Sequence, residues 1–356
     1  MPSDAMDKVT APRQCRSRQA EGLRIAALGG GHGLSTLLRG LKKYTGNLTA
    51  IVTVADDGGS SGVLRREMGL LPPGDLRNCI AALAEAEPLM TQLFQYRFGQ
   101  GTGLDGHTFG NLFIAAMTAV TGDFAKAISE AGRVLAVRGR ILPSSLENVM
   151  LCAEVHSRTN PNADPYLIRG QSSIAKAGGF VERVYLEPSD VRGYPEATRA
   201  ILDADIIVAG PGSLYTSILP NLLISDISKA IRASPALKVY VCNVATQPGE
   251  TDGYDAGDHV HALLEHVGSS VFHYMMANST TDCQLPPGSG SKMVEPRFAI
   301  VDDCSVVVED LVDRNLPWRH DPAKLAGGLI GLYHSARGAT EARQQDSARA
   351  ERAAGH

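Results

Sequence analysis

A chain of 356 residues with 44% hydrophobic content can bury a large core, as one big or two moderate domains. Its formal net charge of −4 lacks the basic bias of a nucleic-acid binder or of a protein held on an anionic membrane surface. No apolar run reaches the ~20 residues that span a bilayer, and the six cysteines (Cys15, Cys79, Cys152, Cys242, Cys283, Cys304) form no CxxC pair, which suits reduced thiols better than a disulfide frame or a zinc site.

Residues 1–22 are polar with scattered Arg and Lys and carry no signal-peptide core, so a disordered lead-in and a cytoplasmic protein are expected. Residues 23–38 then read as a buried strand turning tightly into a helix: Leu-Arg-Ile-Ala-Ala-Leu, the cluster Gly29-Gly30-Gly31-His32-Gly33, and Leu34-Ser35-Thr-Leu-Leu. Glycines there free the backbone and leave no Cβ between main chain and ligand. The N–H groups at the helix start offer an anion site, reinforced by the helix dipole. A phosphate-binding loop is the functional reading; a tight turn without ligand is the structural one.

A second strand is expected at 48–54, ending in Ala55-Asp56-Asp57-Gly58-Gly59-Ser60-Ser61-Gly62. In a dinucleotide fold an acid at this point holds a ribose. Here Asp56 and Asp57 run into a donor-rich loop, which suits a cation such as Mg²⁺ or a ligand hydroxyl, with loop amides left for phosphate oxygens. An Asx-type turn capping the next helix is the structural alternative. Pro-Pro-Gly-Asp75-Leu-Arg77-Asn78 precedes a helix at 80–86, with Asp75 as its expected N-cap and Arg77 and Asn78 either on a ligand or solvated. Gly-His107-Thr-Phe-Gly-Asn111 opens another helix at 112–120, where the loop's glycines and polar groups make His107 as good a ligand contact as a structural residue.

A core-packing helix is expected at 123–137. Residues 140–187 read as a small inserted β-rich segment, with strands at 149–155 and 181–186 around a Pro/Asn/Gly-rich stretch at 157–179. At 204–223 the first pattern returns: a short buried strand, then Gly210-Pro-Gly212-Ser213-Leu-Tyr215-Thr216-Ser217, then a helix. Such loops meet at the carboxyl edge of a parallel sheet, where open α/β folds bind ligands. A strand at 238–244 leads to Asn243-Val-Ala-Thr-Gln247-Pro-Gly-Glu250-Thr, and the helix at 254–266 carries His259, His261 and His266 at spacings that give no common metal-binding face. Strands near 271–276 and 304–308 close the sheet. A last helix at 323–333 follows Trp318-Arg319-His320-Asp-Pro, and residues 336–356 read as disordered or as a solvated helix. The chain is thus α/β, a mostly parallel sheet flanked by helices, with one ligand-binding domain over 23–335.

Taken together, Gly-Gly-Gly-His-Gly-Leu-Ser, Ala-Asp-Asp-Gly-Gly-Ser-Ser-Gly, Pro-Pro-Gly-Asp-Leu-Arg-Asn, Gly-His-Thr-Phe-Gly-Asn-Leu, Gly-Pro-Gly-Ser-Leu-Tyr-Thr-Ser-Ile-Leu-Pro-Asn-Leu and Asn-Val-Ala-Thr-Gln-Pro-Gly-Glu-Thr resemble the gluconeogenesis factor (YvcK-type) family, related to the phospholactate transferases of coenzyme F420 synthesis. The resemblance implies a Rossmann-like cytoplasmic protein that binds a UDP-sugar, notably UDP-N-acetylglucosamine. It also implies a role in cell shape and peptidoglycan precursor supply on gluconeogenic carbon. A protein of cell-wall synthesis and a second copy of the chain are the expected protein partners. By position, residues 29–35 face the diphosphate, Asp56 and Asp57 the metal or ribose, and Ser213, Tyr215 and Thr216 line the same crevice. Arg319 approaches the sugar or phosphate. Residues 278–294 depart from the family, with Pro286, Pro287 and several Gly and Ser in place of a helical, Tyr-containing segment.

The absence of a local nucleophile–base signature favours a regulator without turnover. The alternative is a Mg²⁺-dependent transferase of a phospho-organic group, although the acceptor-side Trp motif of such enzymes is missing near residues 95–110. An NAD-dependent oxidoreductase fits less well, because Thr36 stands at the third fingerprint glycine.

Overall fold

The computed structural model describes residues 22–85, 88–101, 103–160, 163–298 and 304–354, with side chains described as far as residue 339. The lead-in at 1–21, with Cys15, lies outside the described residues.

Seven strands form one sheet: β1 (Ile25–Gly29), β2 (Leu48–Val52), β3 (Arg140–Pro143), β7 (Ile206–Ala209), β8 (Leu237–Val241), β9 (Tyr274–Asn278) and β10 (Ser305–Glu309). Their order is β10-β9-β8-β7-β1-β2-β3, and every adjacent pair is parallel. From β1 the chain builds outward through β2 and β3, then returns to β7 on the other side of β1. The direction of winding therefore reverses between β1 and β7, where open α/β sheets leave a crevice at the carboxyl ends of their strands.

The sequence enforces burial on both faces of this sheet. In β1, Ala26 and Leu28 join one apolar cluster while Ile25 and Ala27 join the other. Alternation is therefore invisible in β1, which reads as a continuous apolar run, as central parallel strands do. The helix Gly31–Leu41 packs Leu34, Leu37, Leu38 and Leu41 into the second cluster, each fully buried. Pro322–Ala354 seats Leu325, Ala326, Leu329 and Ile330 in the same cluster. Gly40 makes that contact close: a Cβ there would overlap the Pro322 carbonyl.

Three further strands, β4 (Met150–His156), β5 (Tyr166–Arg169) and β6 (Phe180–Glu187), form an antiparallel sheet in the order β5-β4-β6. Leu151, Ala153, Val155, Val184 and Leu186 join the first cluster, so this sheet shares the core of the main one. The expected insertion at 140–187 is corrected at its start. Arg140–Pro143 pairs with β2 in the main sheet, because Ile141 and Leu142 are needed to bury that edge. Strand β5 and the turn of helix Gln171–Ile174 lie inside the stretch read as irregular. The helix Pro322–Ala354 carries helical backbone through 336–354, so the disordered reading of that segment gives way to the helical one. Residues 280–292 contain no regular element. Cys79, Cys152, Cys242, Cys283 and Cys304 are free thiols. No described helix is long and apolar enough to cross a membrane.

Candidate functional site

The β1/β7 crevice opens into a cleft of ≈ 520 Å³. One wall is Gly30-Gly31-His32-Gly33 after β1; the facing wall is Pro211-Gly212-Ser213 after β7. The walls interlock. A Cβ at Gly33 would overlap the Pro211 carbonyl and come within 2.9 Å of Gly212 N, so this position admits only glycine without a shift. Gly31 has φ of 61°, the left-handed region that glycine enters at least cost. Asn243, just after β8, clamps the second wall from behind. Its Oδ1 accepts from Gly212 N at 3.1 Å, and its Nδ2 donates to Gly212 O at 2.9 Å and to Gln247 Oε1 at 3.1 Å.

The helix Gly31–Leu41 points its N-terminus into this cleft. Its N-cap, Gly30, supplies no side-chain bond, and its first turn holds no acid. Asp75 intervenes from the neighbouring helix Gly74–Leu83, taking a hydrogen bond from the Gly31 backbone N–H. The sequence places Asp75 as the cap of its own helix, and this is corrected. Pro73 holds the cap position instead, and Asp75 sits in the first turn with its carboxylate turned toward Gly30. Burial, and then the charge of Asp56, push the Asp75 carboxyl up to about 7 against the pull of Gly31 and Arg77. Burial also raises Asp56, opposed by hydrogen bonds from Gly58 N and the Ser61 side chain. The positive counterpart gathers around His32: burial lowers its pKa first, then the guanidinium groups of Arg319, Arg39 and Arg77 lower it further. His320, next in sequence to Arg319, is buried, its Nε2 bonding Cys242 O at 3.1 Å, and burial pulls its imidazole down to about 4.

Of the residues picked from sequence, Gly30, Gly31, His32, Gly33, Asp56, Asp75, Gly212, Ser213 and Arg319 line the cleft. Others do not, for definite reasons. Gly29 and Gly210 end their strands behind the loops: Gly29 O accepts from Asn221 Nδ2, and Gly210 packs on Val241 O. Leu34 is in the core, and Ser35 Oγ turns back to Gly31 O at 3.0 Å. Asp57 Oδ1 takes the Ser172 N–H at 2.8 Å, tying the loop to the short helix Gln171–Ile174. The charge of Asp57 still raises Asp56, and Asp56 in turn raises Asp75, so three acids act on one another along this edge of the cleft. Gly59 opens the helix Gly59–Met68, and Ser61 Oγ accepts from Gly74 N at 3.1 Å. Ser60 Oγ pairs with His107 Nδ1 at 3.0 Å outside the cleft lining. Asn78 is half-buried beyond the lining, and buried Asn111 sits in the first turn of Phe109–Thr121 with its N–H on Thr108 Oγ1. Tyr215 lies in the core, with its hydroxyl on Tyr254 at 2.8 Å. Thr216 acts one step back, donating from Oγ1 to Glu250 Oε1 at 2.9 Å.

Gln171, Asn243, Gln247 and Glu250 also line the cleft and are not among the sequence candidates. The last three follow the carboxyl end of β8, so the strand-end rule that finds the first two loops reaches them as well. Nothing local announces Gln171, which opens the short helix after β5 and donates to Thr216 O at 3.1 Å. The three histidines of Ala256–Val267 diverge: His259 Nδ1 bonds Asp255 O, His261 pairs with Glu265, and His266 Nε2 accepts from Val184 N. Among the described residues no group of three or more His, Cys, Asp or Glu is placed to hold a metal ion.

Comparison with known proteins decides the family. The model of the family described as 2-phospho-L-lactate transferase CofD matches residues 25–303. A relative from Nostoc sp. is 57% identical over 328 residues, covering 90% of this chain and 70% of that one. The protein named gluconeogenesis factor in Bacillus subtilis is 51% identical over 256 residues, 72% of this chain and 78% of that one. The chain belongs to the gluconeogenesis factor family, a branch of the CofD-like proteins. A crystal structure from Bacillus halodurans, described as a member of the UPF0052 family, superposes on this gluconeogenesis-factor chain with a TM-score of 0.78 at 44% identity. It covers 86% of this chain and 98% of its own.

Proposed function

We propose that this gluconeogenesis-factor protein binds a nucleotide-sugar of the UDP-N-acetylglucosamine type in the β1/β7 cleft. It acts there as a cytoplasmic regulator of cell shape and cell-wall precursor supply on gluconeogenic carbon. One observation carries the reading: the N-terminus of the helix Gly31–Leu41, where Asp75 takes the Gly31 N–H, and the Arg319 side chain meet in a polar cleft at the sheet's switch point. Anionic phosphates suit that end, while the amides and hydroxyls of Asn243, Gln247, Ser213 and Gln171 suit a polar base and sugar. Ser213 Oγ is engaged by the amide of Gln247 at 2.6 Å, a partner that cannot serve as its base, which favours binding over turnover. Calorimetric titration with UDP-N-acetylglucosamine, UDP-glucose, GDP and NAD should rank the first above the rest. Equal or absent binding across the four overturns the proposal.

The proximity of Asp56 and Asp75 at the phosphate end favours one second reading, a Mg²⁺-dependent transferase of a phospho-organic group. Two carboxylates plus ligand phosphate oxygens are a customary Mg²⁺ environment, and the ion would neutralise charge developing on the phosphate. Incubation with Mg²⁺, a deazaflavin acceptor and a nucleotide-activated phospholactate should then yield a phosphodiester; no product beyond a protein-free control removes this reading.

A further inference from the structure

One side chain of the cleft is out of keeping with the rest of its lining. Trp318, the chain's single tryptophan, is part of that lining and is 40% exposed. Among the described residues no Phe or Tyr accompanies it there; the others are glycines, prolines, small aliphatic residues and polar groups. Its ring pairs with no other aromatic ring and with no guanidinium of the described residues, and its indole N–H donates no hydrogen bond to them. An apolar ring left facing water gains free energy from a flat partner that covers it.

The backbone beneath this ring is fixed by the fold. Val312 bridges His320, Asp313 N donates to Arg319 O at 2.9 Å, and Arg319 N donates to Leu316 O at 2.8 Å. His320 Nε2 ties the turn to Cys242 O, just past β8. Asp321 Oδ1 takes the N–H groups of Ala323 and Lys324 at 2.7 and 2.9 Å, which secures the start of the last helix. A ring carried on so fastened a turn gives up little freedom when a ligand settles on it.

Arg319, next in the chain, also lines the cleft, and its charge acts on His32 in the loop after β1. Trp318 therefore serves a part of the ligand adjoining the phosphates. A pyrimidine offers a flat π face that an indole can cover, whereas a pyranose is puckered and edged with hydroxyls. We propose that Trp318 is the base platform of the cleft, its indole stacking on the pyrimidine of the bound nucleotide-sugar. The inference rests on the nucleotide-sugar reading and names the residue that takes the nucleotide half.

Because no other tryptophan is present, indole emission reports on this contact directly. The test is fluorescence and calorimetric titration of the full chain with UDP-N-acetylglucosamine, UDP and N-acetylglucosamine 1-phosphate. Both uridine ligands should quench the emission, saturating with the affinity that calorimetry gives, and the sugar phosphate should leave it unchanged. Trp318→Ala should weaken both uridine ligands about tenfold or more, as the loss of one stacked base does. Trp318→Phe should recover most of that loss and Trp318→Leu, apolar but without a π face, little of it. Thermal melting of the free variants separates folding from recognition, and the Phe and Leu variants carry the comparison if Ala fails to fold. A loss confined to UDP-N-acetylglucosamine, with UDP unaffected, overturns the base assignment, and equal recovery by Leu and Phe overturns stacking. Wild-type binding without quenching, or with unchanged affinity in Trp318→Ala, overturns this inference alone. Calorimetry showing no wild-type binding to any of the three ligands overturns it together with the nucleotide-sugar reading.

Discussion

Asp75 shows how far a side chain's role can stand from its place in the sequence. Before a helix it looks like a cap; in the folded chain it lies at the helix-N-terminal end of the cleft, against Gly31 N and beside Asp56. Its carboxyl is raised to about 7, so the folded chain retains a proton that the unfolded chain, with an ordinary Asp near 3.8, has already released. Stability from this group accordingly falls as pH rises from about 4 to about 7 and is level above. Asp75→Asn should melt higher than wild type at pH 8, the gap closing towards pH 4; a constant gap would show that the carboxyl does not titrate there. The same variant separates the two functional readings. Without metal, removing a negative charge beside a bound diphosphate should tighten UDP-N-acetylglucosamine by roughly tenfold at pH 8. If affinity instead collapses only when Mg²⁺ is present, the carboxylate is serving a cation. Adjacent Asp56 and Asp57 illustrate the opposite limit of sequence reading. Neighbours on extended backbone point apart, so two acids in a row seldom share a ligand, and here one faces the cleft while the other secures Ser172.

At the scale of elements, the turns after β1 and β7 act as a single unit. Gly33 lies in the first turn of its helix, where alanine would gain up to ~1 kcal/mol of helix propensity. Its Cβ would meet main chain at Pro211 and Gly212, which cannot swing aside as a side chain would. Overpacking of this kind costs about 1–3 kcal/mol, so the clash should win. Gly33→Ala is expected to lower the melting temperature and abolish nucleotide-sugar binding; an unchanged titration would show the walls to be independent. The apolar runs of β1, β2, β7 and β8, each followed by glycine or polar loops, are plain from composition, as is the convergence of those loops. Strand β5 is not. Tyr166, Leu167 and Arg169 are exposed on an edge and carry no burial pattern, so only pairing with β4 makes them a strand. Tyr215 misleads for a related reason. A hydroxyl-rich stretch looks ligand-facing, yet this ring is buried and its hydroxyl is satisfied by Tyr254.

Across the whole molecule, one sheet divides two apolar clusters, and the long final helix closes only one of them. Its buried side chains fall between Leu325 and Ile330, and the side chains from Gly331 to Ala339 are half-buried or exposed. A chain ending at Gly338 should therefore keep its melting temperature within a few degrees, whereas Leu329→Ala should cost about 2–5 kcal/mol, as cavities in packed cores do. A large loss from the shortened chain would place stabilising contacts beyond the first turns. Composition makes the class and the parallel sheet legible, because both follow from where apolar residues recur. What it leaves hidden are the meetings of remote segments: Gln171 reaching Thr216 from the short helix after β5, and the Gly40 approach to Pro322.

The Asn243 clamp and the Gly33–Pro211 fit are both formed when the chain folds. An incoming guest finds its berth already shaped, so little ordering remains to be done at the moment of capture. For the proposed nucleotide-sugar, these preformed walls make what the visitor presents the natural basis of selection.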